Sequence, residues 1–244
     1  GDLAATVARG GDDDDAFEAD AGGSDTMEGM HTCGVTTSGV TYCWGANFYG
    51  QLGLGDTESR GDDPGEMGDS LEAVNLGAGL SAVSISAGHA HTCALLDNGQ
   101  VKCWGINQFG QLGLGDTEIR GDDPGEMGDD LPAVALGSGR TAVAVSAGEF
   151  RTCALLDDAS VKCWGGDGLG LGDTEFRGDE PNEMGDNLPV VNLGAGQAVQ
   201  VLSTGMSHSC VVLASGQVKC WGLNDNGELG LGDTDDRGDD TGEM

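Results

Sequence analysis

The sequence predicts an all-β protein built from repeated small sheets. Glycine accounts for 46 of the 244 residues, while aromatic residues make up only 5%. This composition favours short strands joined by many glycine turns over a helical bundle. The chain also repeats itself four times, over residues 31–90, 91–150, 151–207 and 208–244. A repeat of this length is typical of stacked or radial architectures.

Each repeat contains two stretches of strand-like sequence. In the second repeat, TCALLD and QVKCWG flank Asn98-Gly99, which predicts a hairpin. The later stretch LPAVALGSGRTAVAVSAG alternates apolar and small residues around a glycine-rich turn, which predicts a second hairpin. We therefore expect a propeller-type repeat of four-stranded blades. Four recurring tryptophans are expected in the core between blades: Trp44, Trp104, Trp164 and Trp221.

The eight cysteines form four pairs whose members stand ten residues apart. These pairs are Cys33 and Cys43, Cys93 and Cys103, Cys153 and Cys163, and Cys210 and Cys220. A three-residue loop, Asp97-Asn98-Gly99, places Cys93 opposite Cys103 on one face of the hairpin, within disulfide range. In the third repeat Ala159 replaces the loop glycine, so we expect that turn to be strained or different.

Disulfides of this kind indicate where the protein works. Each closes a short loop and would stabilise the fold by about 2–3 kcal/mol. Disulfides persist outside the cytosol, so we expect an extracellular or cell-surface protein. A zinc site is the alternative, because His91 stands two residues from Cys93. Structural zinc sites usually have a short CxxC spacing, which is absent, and Arg151 replaces this histidine in the third repeat.

The chain is strongly acidic, with 42 Asp and Glu against 10 Lys and Arg and a formal net charge of −32. Nucleic acids and anionic membranes would be repelled, because both are bound through lysine and arginine. Cations and basic protein surfaces are the partners that this charge attracts. The alternative is that the acidic turns only keep the protein soluble.

Much of the charge lies in a four-fold insert, which reads GDTESRGDDPGEMGD in the first repeat. Crowded carboxylates on a glycine-rich loop are typical of Ca²⁺ sites, although the spacing does not match an EF-hand. The candidate ligands are Asp56, Asp62, Asp63, Glu66, Asp116, Asp122, Asp123, Glu126, Asp173, Asp179, Glu180, Glu183, Asp233, Asp239, Asp240 and Glu243. Alternatively, the recurring arginine of each insert (Arg60, Arg120, Arg177 and Arg237) pairs with its carboxylates and locks the loop without metal.

The segment AGHAHTCALLDNGQVKCWGINQFGQLGLGDT resembles the repeat of the regulator-of-chromosome-condensation family, in its bacterial, extracellular, cysteine-containing form. The resemblance covers residues 31–244. Gly88-x-x-His91 and Gly205-x-x-His208 match the glycine–histidine step of the family, and Gly148-x-x-Arg151 departs from it. The resemblance implies a propeller, since similar members form seven blades, one closed by strands from both chain ends. It does not carry over nucleotide exchange or chromatin binding, which this charge disfavours.

Residues 1–30 are expected to form an N-terminal strand segment followed by an acidic, glycine-rich linker. GDLAATVARG resembles the LPAVxLG continuation that the fourth repeat lacks after Met244. The N-terminal segment is therefore predicted to complete the unfinished last blade, in its own chain or in a neighbour.

We accordingly hypothesise a secreted, non-catalytic assembly protein that forms a head-to-tail extracellular filament by strand complementation. Domain exchange into a dimer, a fragment of a larger seven-bladed propeller, and an extracellular propeller that binds a protein or glycan are the alternatives. No enzyme is expected, because GxSxG, P-loop and HExxH motifs are all absent.

The cysteine pairing has a direct test. Mass mapping of proteolytic peptides without reduction should find four disulfide-linked species, each joining two cysteines of one repeat. Free thiols, a bound transition metal or links between different repeats would contradict the predicted hairpin register.

Overall fold

A computed structural model of the chain describes residues 6–9 and 30–244. These residues form four antiparallel three-stranded sheets in chain order, which confirms the all-β prediction. The first two sheets contain β1 (Thr6–Arg9), β2 (His31–Val35), β3 (Thr41–Gly45), β4 (Ala82–Ala87), β5 (His91–Leu96) and β6 (Val101–Gly105). The third and fourth contain β7 (Ala142–Ala147), β8 (Arg151–Leu156), β9 (Val161–Gly165), β10 (Val199–Thr204), β11 (His208–Leu213) and β12 (Val218–Gly222).

In residues 30–244 the helices are limited to short turns. Three 3-10 helices of three residues each lie in the inserts, over Gly68–Ser70, Gly128–Asp130 and Gly185–Asn187. No helix in the described part of the chain has the length and apolarity that a membrane span requires.

The central hairpin of each sheet has the register that the sequence predicts. Cys93 lies opposite Cys103 in β5 and β6, and the three-residue loop is closed by a hydrogen bond from the Leu96 N–H to the Gln100 carbonyl. All eight cysteines are bonded in pairs within their own repeat: Cys33–Cys43, Cys93–Cys103, Cys153–Cys163 and Cys210–Cys220. Ala159 keeps the same turn with a φ of 64°, a left-handed conformation that costs an alanine about 1 kcal/mol.

Alternating side chains give every sheet two different faces. On one face of the second sheet, Cys93, Leu95 and Val101 pack into a core that also holds Trp164 of the third sheet. On the opposite face, Trp104 packs into the core that the second sheet shares with the first. We call these the disulfide face and the tryptophan face. Each interior junction therefore packs the disulfide face of one sheet on the tryptophan face of the next.

The predicted second hairpin does not form, and the sheets have three strands instead of four. LPAVAL lies along the outer edge of the second sheet, where the Val134 N–H donates to the Val101 carbonyl at 2.8 Å. AVAVSA instead forms β7, which pairs with β8 in the third sheet. The glycine turn between them thus joins two sheets.

A buried lysine donates hydrogen bonds to backbone carbonyls at this outer edge. Lys102 Nζ of β6 donates to the carbonyls of Leu76 and Gly128, at 3.0 and 2.6 Å. The Leu76 carbonyl belongs to the outer segment of the first sheet, so the lysine also ties two neighbouring sheets together. Burial lowers the pKa of Lys102, and the nearby Asp129 opposes that shift.

The N-terminal strand occupies a different place from the predicted one. β1 pairs with β2 of its own chain, with Thr6 opposite Val35 and Arg9 opposite Thr32. It holds the position in the first sheet that β4 holds in the second. Residues 6–9 therefore complete the first sheet and not the last. The predicted linker over residues 11–24 lies outside the described residues.

Neighbouring sheets are joined by a set of buried hydrogen bonds. The Gln51 carbonyl accepts from Thr92 Oγ1 at 2.8 Å and from Trp104 Nε1 at 3.0 Å, both in the second sheet. Because the single hydroxyl proton of Thr92 goes to Gln51, His31 Nε2 must donate to Thr92 Oγ1, at 2.7 Å. The next junction repeats this arrangement with His91, Thr152, Gln111 and Trp164. We call it the inter-sheet lock.

The lock fixes the protonation state of His91. Its Nε2 donates to Thr152, so the neutral ring carries no proton on Nδ1, which has no hydrogen-bond partner in the described structure. A Cβ on Gly88 would overlap the ring, which explains the glycine three residues before it. Burial, with smaller contributions from His31 and His89, lowers the pKa of His91 from 6.5 to about 3.

Replacing His91 with glutamine should reduce the fall in the free energy of unfolding as the pH is lowered. The folded state prefers the neutral ring, whereas the unfolded chain takes up a proton near pH 6.5. The contribution of His91 is therefore complete above about pH 6.5 and is lost as the pH falls towards about 3, by up to about 1.4 kcal/mol per pH unit. Glutamine keeps a donor for Thr152, so the fold should survive.

Urea unfolding of the wild type and of H91Q between about pH 7 and pH 5 measures the difference. H89Q, at the half-buried neighbouring histidine, is the matched control. Parallel stability curves for the wild type and H91Q would contradict the assignment of a buried neutral ring.

Candidate functional site

Each acidic insert is held by its own arginine. Arg60 Nη2 lies 2.6 Å from Asp56 Oδ2, and Asp56 Oδ1 accepts from the Glu58 N–H and from Asn47 Nδ2. The ion pair recurs in the other three inserts, as Arg120–Asp116, Arg177–Asp173 and Arg237–Asp233, each at 2.8 Å. The recurring arginine therefore forms an ion pair with an aspartate of its own insert.

A glutamate closes the second half of each insert. Glu66 Oε2 accepts from the N–H groups of Gly61 and Asp63, at 2.8 and 3.1 Å. These bonds hold the pKa of Glu66 below its usual value. In the second insert, burial and a hydrogen bond to Glu126 raise the pKa of Asp122.

Most of the residues predicted to bind Ca²⁺ contact other groups of their own insert. Four pair with arginine (Asp56, Asp116, Asp173 and Asp233), and four accept backbone N–H groups (Glu66, Glu126, Glu183 and Glu243). Four more contact that glutamate (Asp62, Asp122, Asp179 and Asp239), and four are exposed (Asp63, Asp123, Glu180 and Asp240). Within the described residues, no group of three or more His, Cys, Asp or Glu side chains is arranged to hold a metal ion.

Calcium should consequently leave the thermal stability unchanged. A ligand that binds only the folded state raises the melting temperature, so saturating CaCl₂ should act no differently from MgCl₂ at equal ionic strength. Scanning calorimetry with each salt and with EDTA makes the comparison. A rise specific to calcium would restore the predicted metal sites.

Among the residues that the structure describes, the junction between the third and fourth sheets does not have the inter-sheet lock. The third repeat reads CWGGDGLGLGDT where the second reads CWGINQFGQLGLGDT. Its loop is therefore three residues shorter, and Gly168 stands where the second repeat has Gln111. Trp221 Nε1, the counterpart of Trp104 and Trp164, is buried without a hydrogen-bond partner in the described structure. Arg151 replaces the histidine and donates to the carbonyls of Asp167 and Met206, at 2.8 and 3.3 Å.

The guanidinium of Arg151 is almost fully buried at this junction. Burial lowers its pKa to about 10, and the neighbouring carboxylates Glu149 and Asp167 oppose that shift. Its Nε has no hydrogen-bond partner among the described residues. The two junctions nearer the N-terminus therefore share the inter-sheet lock, whereas the junction between the third and fourth sheets has the contacts of Arg151.

The altered junction contains a cavity of about 370 Å³ at the end of the third and fourth sheets. Its apolar wall consists of Phe150, Met206 and Leu223. Charged side chains also line it, namely Glu149, Arg151, Asp167, Asp236, Arg237 and Asp239. The shortened third repeat is the signal in the sequence for this site, but its consequence depends on packing between repeats. The cavity is the candidate site for a small group or a partner side chain.

Comparison with known proteins covers most of the chain. Two models of the regulator of chromosome condensation (RCC1) repeat match it, one over residues 38–95 and 98–155, the other over 82–111, 142–170 and 199–228. The protein pim1 of Schizosaccharomyces pombe is 30% identical over 214 residues, which cover 84% of this chain and 38% of pim1. The human probable E3 ubiquitin-protein ligase HERC4 is 33% identical, over 85% of this chain and 18% of HERC4.

Solved structures show the same fold. Yeast RCC1 (Prp20) bound to Kap60 superposes with a TM-score of 0.59 and 24% identity, over 84% of this chain and 45% of Prp20. Prp20p from Saccharomyces cerevisiae, described with its binding properties to Gsp1p and histones, gives 0.58 and 23%, over 84% and 46%. The chain spans less than half the length of each of these proteins. Its repeats, its sheets and these matches agree, and the chain belongs to the regulator of chromosome condensation (RCC1) repeat family.

Proposed function

We propose that this chain is a non-catalytic protein-binding module that acts outside the cytosol and recognises basic protein surfaces. Membership of the RCC1 repeat family supports binding to proteins, because Prp20 is described with Kap60, Gsp1p and histones as its partners. Four disulfides in the described residues support the extracellular setting, because disulfides persist under oxidising conditions.

The observation that carries the proposal is an array of unpaired carboxylates. Each insert pairs its arginine with one aspartate, and two further acidic positions are exposed in all four inserts. The array consists of Glu58, Asp63, Glu118, Asp123, Glu175, Glu180, Asp235 and Asp240. None of these eight takes part in an ion pair within residues 30–244. Such an array attracts a cationic surface and accelerates its association at low salt.

Binding to cytochrome c, a small basic protein, tests the proposal. Lysine-acetylated cytochrome c is the matched control, because acetylation removes the positive charges and keeps the protein size. Calorimetry should find saturable binding that weakens about ten-fold or more when the eight carboxylates of the array are changed to Gln and Asn. Equal binding of the acetylated protein, or an unchanged affinity in the neutralised variant, would overturn the proposal.

Self-assembly is the second candidate, and exposed sheet faces favour it. Val101 and Val161 are fully buried on their disulfide faces, whereas Val218 of the fourth sheet is 63% exposed. The tryptophan face of the first sheet likewise leaves Trp44 partly exposed. Packing one chain's fourth sheet on the first sheet of another would cover both, in the head-to-tail manner that gives a filament. This route uses sheet faces, since β1 already pairs within its own chain.

Light scattering after size-exclusion chromatography measures the assembly directly. We expect the mass to rise with protein concentration and V218D to remain monomeric. A monomer at every concentration would remove this second candidate and leave the binding proposal standing.

A further inference from the structure

The cavity at the third junction lies where an aromatic side chain packs at the second. There, Phe109 lies between Phe150 and Phe176, with ring centroids 5.0 and 5.3 Å apart and both pairs edge to face. The third repeat has no residue corresponding to Phe109, because the loop after β9 is three residues shorter. The space is therefore shaped for a flat group that the chain itself does not supply.

The two phenylalanines that contact Phe109 at the second junction are replaced by polar residues at the third. The fourth repeat has Ser207 and Asp236 where the third has Phe150 and Phe176. Both Ser207 and Asp236 line the cavity, and Phe150 contributes an aromatic wall from the side of the third sheet. Met206 and Leu223 add apolar surface and are 51% and 38% exposed, so the cavity is open to a partner.

The charges in the cavity leave a net negative site. The guanidinium of Arg151 donates to two carbonyls, and Arg237 is paired with Asp233 outside the cavity. Four carboxylates line the same space, belonging to Glu149, Asp167, Asp236 and Asp239. Glu149 and Asp167 lie close enough to Arg151 to raise its pKa and so favour its charged form. Asp239 contacts Glu243, and Asp236 Oδ1 accepts from the Asn224 N–H at 2.8 Å, so within the described residues Asp236 Oδ2 is the oxygen that faces a ligand.

We propose that this cavity binds an arginine side chain of a partner protein. A guanidinium is flat, stacks on an aromatic ring and donates two parallel hydrogen bonds to a carboxylate. A phenyl ring would satisfy the shape and leave the carboxylates without a cation, whereas lysine would satisfy the charge as a point and leave the flat space unfilled. The inference rests on the proposed recognition of basic surfaces and assigns one residue type to one place.

The probe is N-acetyl-arginine amide, followed by NMR of the methyl groups of Met206 and Leu223. N-acetyl-citrulline amide has nearly the same shape without the charge, and N-acetyl-phenylalanine amide tests a purely aromatic site. We expect saturable shifts at both methyl groups and an affinity for the arginine probe at least about ten times that for citrulline. Equal binding of citrulline, stronger binding of phenylalanine or unmoved methyl signals would overturn the proposal.

Inserting Gln-Phe-Gly between Asp167 and Gly168 restores the loop length of the second repeat and should fill the cavity. This variant should lose the arginine probe, with its fold checked by circular dichroism. D236N provides a second variant if the insertion does not fold, and it should bind at least several-fold more weakly than the wild type. D225N, at an exposed residue outside the cavity, is the control and should bind normally.

The two proposals fail separately. If cytochrome c binds and the arginine probe does not, the recognition of basic surfaces stands and the arginine site is wrong. If the insertion variant still binds the arginine probe, the probe lies elsewhere and the assignment of this cavity is wrong.

Discussion

The backbone carbonyl of Gln51 accepts two hydrogen bonds from the next sheet, and the packing of the sheets depends on acceptors of this kind. Thr92 and Trp104 donate to the same oxygen from neighbouring strands. Together these two hydrogen bonds fix the position of the second sheet relative to the first. Gln111 performs the same task for the third sheet. Buried hydroxyl and indole N–H groups cost about 1–3 kcal/mol each when left unpaired, which makes this position strongly preferred.

The lock also explains why the repeats use the residues they do. The threonine hydroxyl has one proton, so it can accept only from a histidine nitrogen that carries its own. His91 needs the glycine three residues earlier, because its ring lies against Gly88. Around the lock, the disulfide face of one sheet packs on the tryptophan face of the next. The disulfides therefore belong to the core between sheets as well as to single hairpins.

Local features of the fold were predictable from the sequence, and features that join repeats were not. The ten-residue cysteine spacing fixes the register of β5 and β6, because opposed residues in a hairpin depend only on the loop length. Alternation in LPAVALGSGRTAVAVSAG indicates strands, but it cannot show that the turn carries the chain to another sheet. For Asp56 the sequence leaves two interpretations open, a Ca²⁺ ligand or a partner of Arg60, and the structure adds the ion pair with Arg60 of the same loop.

The candidate site shows the same division. The shortened third repeat and Arg151 are visible in the sequence, but their effect is not. Only the packing of Phe109 between Phe150 and Phe176 shows what the missing residues would have filled. The shortened loop of the third repeat thus coincides with a missing lock and a cavity at the junction between the third and fourth sheets. The indole N–H of Trp221 is buried there without an acceptor in the described structure.

The four tryptophan indoles allow the central claim to be measured. In a spectrum of the ¹⁵N-tryptophan-labelled protein, assigned by single Trp→Phe substitutions, Trp104 and Trp164 should show indole protons shifted downfield by their carbonyl acceptors. Trp221 should resonate well upfield of both, because it is buried without an acceptor. An equally downfield proton for Trp221 would contradict the account, since the third junction would then contain the same lock as the other two.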